Sequence, residues 1–169
     1  MEMLYIAVML LQSMVISLGV GSSTIAIINF FVAIADGKID PQERAMMGIV
    51  YKVLRISMIF ILVCALLIAV MTGMAGVEYW SDFTAGMWTL IIVLYVNAVL
   101  MTKHIMPSNI GPALQASTWY TLGIIMSLIP LGLAGFSYFE FIVGYLAAVA
   151  LAIGIVNGIM HYLKKQREA

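Results

Sequence analysis

The chain has 169 residues, 64% of them hydrophobic and only 9% charged, and eight basic side chains balance eight acidic ones. A water-soluble domain carries about 25% charged residues, so this scarcity of charge excludes a soluble globular fold. A mean hydropathy of +1.10 excludes a disordered chain as well. The composition calls for an all-α integral membrane bundle, because a lipid-exposed backbone must satisfy its own hydrogen bonds and barrel strands would alternate with polar residues.

Charged residues fall in clusters separated by five long neutral stretches. A spanning helix needs about 20 mostly apolar residues, so each stretch holds one span. The expected spans are 4–35, 55–75, 84–103, 112–131 and 138–163, forming a single transmembrane domain over 1–169. The first stretch lacks a basic leader and a small-residue cleavage site, which reads as a retained helix. It is also longer than a bilayer requires. Its small and polar residues Gln12, Gly19, Ser22, Ala26, Asn29 and Ala33 make one face.

The joint that follows is Asp36-Gly-Lys-Ile-Asp-Pro-Gln-Glu43. Gly37 suits a helix end, Asp40 an N-cap, Pro41 a first turn and Glu43 a capping box. The string also matches the second half of an EF-hand loop, but Val32 and Ile34 stand where that loop needs oxygen ligands. Capping is the expectation. Residues 41–55 place Arg44, Lys52 and Arg55 opposite Met46, Ile49, Val50 and Val53, an amphipathic pattern. Helices 1 and 2 are therefore expected to extend past the bilayer as a hairpin over about residues 33–55.

The second span contains Cys64, the chain's one cysteine, expected as a small packing residue. The third carries Gly86 and Asn97 and ends near His104. The fourth opens at Ser108-Asn-Ile-Gly-Pro112 and ends near Pro130. In the fifth, Glu140, Ala147, Gly154 and His161 recur every seven residues beside Ala150, Asn157 and Gly158. Gly154 and Gly158 form a GxxxG pair that lets helix backbones approach. These faces are expected to turn inward, leaving Leu, Ile, Val and Met toward lipid.

With five spans, Lys38, Arg44, Lys52, Arg55, Lys103, Lys164, Lys165 and Arg167 all share one side, while Glu2, Glu78 and Asp82 lie on the other, and Glu140 falls there too if it sits in the headgroups and not in the bundle. The positive-inside rule then puts the N-terminus outside and the C-terminus in the cytoplasm. The expected location is the cytoplasmic (inner) membrane of a prokaryote.

Two roles compete for the inward polar residues. Asn and Gln can hold a bundle together, or Gln12, Asn29, Asn97, Glu140 and Asn157 can line a polar pathway, since an acid at membrane depth suggests function. His104 and His161 are the candidate metal or haem pair, but no further ligand completes their sphere. No metal and no cofactor is expected. Met71, Met74 and Met87 should lie near the outer ends of the second and third spans, as soft filler or soft ligands. There is no phosphate loop, HExxH, CxxC or nucleophile elbow, so an enzyme is not expected. The eight basic residues suit a membrane surface better than nucleic acid.

The first two spans, with the sequence ADGKIDPQE over 35–43 between them, resemble the opening of small prokaryotic multi-pass proteins of the CopD-like group, over about residues 8–75. That resemblance implies membrane class. Where those proteins carry a histidine early in the first span, this chain has Gln12. The expected function is a homo-oligomeric channel or transporter for an ion or small solute. An accessory or scaffold subunit of a membrane complex is the alternative, and a haem- or copper-binding redox protein is third.

Overall fold

The computed structural model describes residues 2–35, 40–107 and 110–168. Among them the regular elements are five helices: α1 (Glu2–Ala35), α2 (Pro41–Met74), α3 (Asp82–Thr102), α4 (Gly111–Leu128) and α5 (Tyr138–Glu168). Four of these, α1, α2, α3 and α5, are long and apolar enough to cross a membrane. Of the interhelical joint, Asp36, Gly37, Lys38 and Ile39 lie outside the described residues, as do Ser108 and Asn109 before α4.

The start of α2 follows from its capping chemistry. Asp40 Oδ1 accepts from Glu43 N at 2.7 Å, and Glu43 Oε2 accepts from Asp40 N at 3.0 Å. Two otherwise orphaned donors of the first turn are satisfied in this way. The same bonds occupy the Glu43 carboxylate that a calcium loop would need. From Pro41 the helix continues without a break to Met74, so the amphipathic stretch and the second span are one element, about 51 Å long at 1.5 Å per residue.

Helix ends are set by three left-handed residues. Gly76 and Gly132, both at φ +68°, terminate α2 and α4, and Leu133 N reaches back to Leu128 O at 3.1 Å. Glycine adopts this conformation without a Cβ penalty. The end of α3 uses His104 at φ +56° instead, with His104 N donating to Met101 O at 3.1 Å.

Interhelical contacts give the arrangement. α1 and α2 pack as a long pair, and α4 packs against α1, α3 and α5. Val20 of α1 faces Gly123 and Thr24 faces Tyr120, so α1 and α4 run antiparallel. Thr118 bonds the Tyr145 hydroxyl at 2.7 Å, tying α4 to α5. The one helix of the five that is not a candidate span is thereby the central one, with nine of its 18 residues buried. Helices on three sides spare α4 the all-round apolar surface that lipid demands.

Of the described glycines, Gly19 makes the tightest approach, to Trp119. A Cβ on Gly19 would fall 2.6 Å from Trp119 Cδ2, and nearer still to the six-membered ring. The indole is fully buried. It fits because residue 19 has no side chain.

At one end of the bundle, α1 begins, α2 ends and α3 and α5 begin, and there stand Glu2, Glu78, Asp82 and Glu140. Arg44, Lys52, Arg55, Lys103, Lys164 and Lys165 lie in the opposite half. These are called the acidic and basic ends below.

One expectation is corrected. On α5, Glu140, Ala147, Ala150, Gly154, Asn157, Gly158 and His161 are exposed, and open space surrounds the Cβ positions of Gly154 and Gly158. α5 instead buries Phe141, Tyr145 and Val156. Aromatic and branched side chains bury more area against α3 and α4 than glycine can, so they rotate the small face outward.

Candidate functional site

At the acidic end α1, α2, α3 and α4 diverge around a cavity of about 360 Å³. Tyr5, Met9 and Gln12 come from α1, Ala65, Ile68 and Thr72 from α2, Met87, Trp88 and Ile91 from α3, and Met126 from α4. The connection between α2 and α3 adds Glu78 and Tyr79. That connection folds back because Ser81 caps α3: Ser81 N donates to Thr84 Oγ1 at 2.8 Å, and Thr84 N to Ser81 Oγ at 3.2 Å. Thr84 Oγ1 also donates to Tyr79 O at 2.9 Å. Trp88 Nε1 donates to the Tyr79 hydroxyl at 2.7 Å, which locks the two rings together.

The cavity has one charged wall. Burial raises the Tyr79 phenol above its ordinary pKa, although the Trp88 hydrogen bond offsets part of that shift. Tyr79 is therefore neutral at physiological pH, and the negative charge belongs to Glu78. Deeper in, Gln12 is 5% exposed and makes no side-chain hydrogen bond among the described residues. A carboxamide has two donors and an acceptor, and those of Gln12 border the cavity.

Further along the same helices, in the basic half, lies a second cavity of about 190 Å³. Tyr51, Leu54, Arg55 and Met58 of α2, Ala98, Met101 and Thr102 of α3, and Gln115 of α4 line it. Behind it stands a polar cluster. Asn97 Nδ2 donates to Gly111 O at 2.9 Å and to Gln115 Oε1 at 3.1 Å, and Gln115 Nε2 reaches Met58 Sδ at 3.8 Å. Asn97 Oδ1, Ser117 Oγ and Trp119 Nε1 are buried without a partner.

The stretch of α2 between the cavities runs from Met58 to Ala65, about 10 Å of helix. It is filled by Ile61, Leu94 and Leu122, each fully buried. Tyr95 pins α3 to α2 there, its hydroxyl donating to Met58 O at 2.8 Å.

The structure sorts the residues singled out in the sequence. Gln12 lines the acidic-end cavity, and Asn97 backs the other through Gln115. Asn29 lies on α1 with its Nδ2 buried and unpartnered. Glu140 caps α5: its Oε2 accepts from Ser137 N at 2.8 Å and from Ser137 Oγ at 2.9 Å. His104 is an exposed helix stop and His161 an exposed α5 residue. Among the described residues no three His, Cys, Asp or Glu side chains gather as a metal site. Met71 and Met87 face different cavities, and Met74 is exposed.

Glu78, Trp88 and Gln115 were not legible as site residues. Gln115 had a signal, as the sole amide in the most polar of the five expected spans. The roles of Glu78 and Trp88 depend on how the α2–α3 connection folds back, which no spacing encodes. No family model, curated protein or solved structure matches the chain.

Proposed function

We propose that this chain is a membrane transporter or channel for an ion or small solute. In this reading α4 is a fifth span: 18 residues rise about 27 Å, close to the roughly 30 Å hydrocarbon core. The acidic end faces outward and the basic end faces the cytoplasm of a prokaryote, in keeping with the positive-inside rule. The observation that carries the proposal is the pair of cavities on one α2–α3–α4 interface, separated by a short apolar closure. Polar groups at the two cavities and a dry closure between them suit a gated path, since hydrophobic constrictions close pores by excluding water.

The test is flux in liposomes. Protein-containing vesicles should pass protons, potassium or a small neutral solute faster than empty vesicles. Leu94→Ala, which thins the closure, should raise that flux several-fold. If neither the natural chain nor Leu94→Ala exceeds empty vesicles, the transport reading fails.

A second reading rests on α5. Its exposed small-residue face, including Gly154 and Gly158, suits close packing against another membrane helix. Against a second copy, this face makes the transporter a homo-oligomer. Against a different protein, it makes the chain an accessory subunit. A stoichiometric larger partner after gentle solubilisation would favour the accessory role, and self-association alone would favour the homo-oligomer.

A further inference from the structure

We infer that the acidic-end cavity is a binding site for a small organic cation of the substituted ammonium class. The inference rests on the reading of this cavity as the outer vestibule, but binding there does not require flux. Three independent observations converge. First, the cavity is a half-open cleft lined by four helices and has the volume of a small-ligand site, about 360 Å³. Second, Gln12 is 95% buried and presents an unpartnered carboxamide to it. Third, the walls combine one carboxylate, Glu78, with the aromatic side chains of Tyr5, Tyr79 and Trp88.

The chemistry selects among ligands. An anion is disfavoured, because the bundle end holds Glu2, Glu78, Asp82 and Glu140 and no described basic residue. An inorganic cation such as calcium wants six to eight oxygens. Here the Ser81 and Thr84 hydroxyls are committed to capping α3, so few oxygens are left to replace a hydration shell. A substituted ammonium is weakly hydrated and needs no such shell. Aromatic faces attract it through their quadrupoles, the Met87 thioether offers its alkyl groups a polarizable contact, and Glu78 balances its charge. Gln12 is placed to accept from an N–H or hydroxyl of the ligand.

Trp88 is already oriented for this task. Its bond to Tyr79 holds both rings before any ligand arrives, which reduces the ordering cost of binding.

The test uses the full chain in an uncharged maltoside detergent, which adds neither cation sites nor competing choline headgroups, with radiolabelled tetraethylammonium as the probe. Saturable binding is expected, one site per chain, competed by choline. Glu78→Gln should weaken it by roughly tenfold and Trp88→Leu by a comparable factor. Glu78→Asp should recover part of the loss. Glu140→Gln removes an acid from the same end but outside the cavity, and should leave the affinity unchanged. Non-saturable binding, or equal loss in Glu78→Gln and Glu140→Gln, would show general surface charge and overturn the inference. Unchanged affinity in Glu78→Gln and Trp88→Leu would overturn it too. Saturable binding without flux would sink the transport reading alone, and flux without binding would sink only this inference.

Discussion

Gly19→Ala is expected to destabilise the bundle by about 3 kcal/mol. The methyl group would enter the space of the Trp119 ring, and the indole is fully buried against α1. A flexible side chain could swing away, whereas an indole packed on every side moves only with its helix. α4 would have to shift away from α1, and every contact it makes with α3 and α5 would loosen with it. Thermal unfolding of purified protein in a mild detergent should show the loss as a clear fall in midpoint. The mechanism has its own control. Trp119→Leu alone should also destabilise, by removing a large buried ring. In the double variant the two losses should sum to less than their separate values, because the leucine makes room for the methyl. Strict additivity would mean that the close approach of Gly19 and Trp119 does not hold α1 to α4.

Asn97→Leu should cost about 2 kcal/mol. The substitution keeps the volume but removes the donor to Gly111 O and Gln115 Oε1. Interhelical hydrogen bonds in membranes average about 0.6 kcal/mol and reach about 1.7. The larger part of the loss is the Gln115 amide left unpaired beside the basic-half cavity, since stranding one partner costs more than removing both. Asn97→Leu combined with Gln115→Leu should therefore be more stable than Asn97→Leu alone. Chemical denaturation of the natural chain and the two variants decides the matter. If the double variant is the least stable, the two amides act independently and the cluster does not join α3 to α4.

Both predictions concern α4, and this helix shows why parts of the molecule were legible and others not. Its expected span, 112–131, lies close to the observed Gly111–Leu128. Pro130 and Gly132 mark its end, because helix termination is a local event. That it would occupy the centre was not legible. A helix containing Gln115, Ser117, Thr118 and Trp119 looks like the poorest membrane helix of the five, and it tolerates those residues because neighbours cover it. The same limit applied to α5, whose seven-residue recurrence was real but pointed outward. Periodicity identifies a face, and only competition among faces for burial decides which one turns in.

What the amino-acid sequence determined alone was therefore set residue by residue or over one helical turn. Helices long and apolar enough to cross a membrane followed from the scarcity of charge. The helix order, the Asp40–Glu43 capping box and the gathering of the basic residues at one end needed no knowledge of neighbours. What only the tertiary structure decided was every relation between helices: the indole seated on Gly19, the amide pair of Asn97 and Gln115, the closure at Leu94, and the cavity where Gln12 meets Glu78 and Trp88. Those relations depend on which helices pack together and how each rotates about its axis. A net charge of zero is consistent with any such packing, so the zero sum carried no information about the site, while the positions of the charges did.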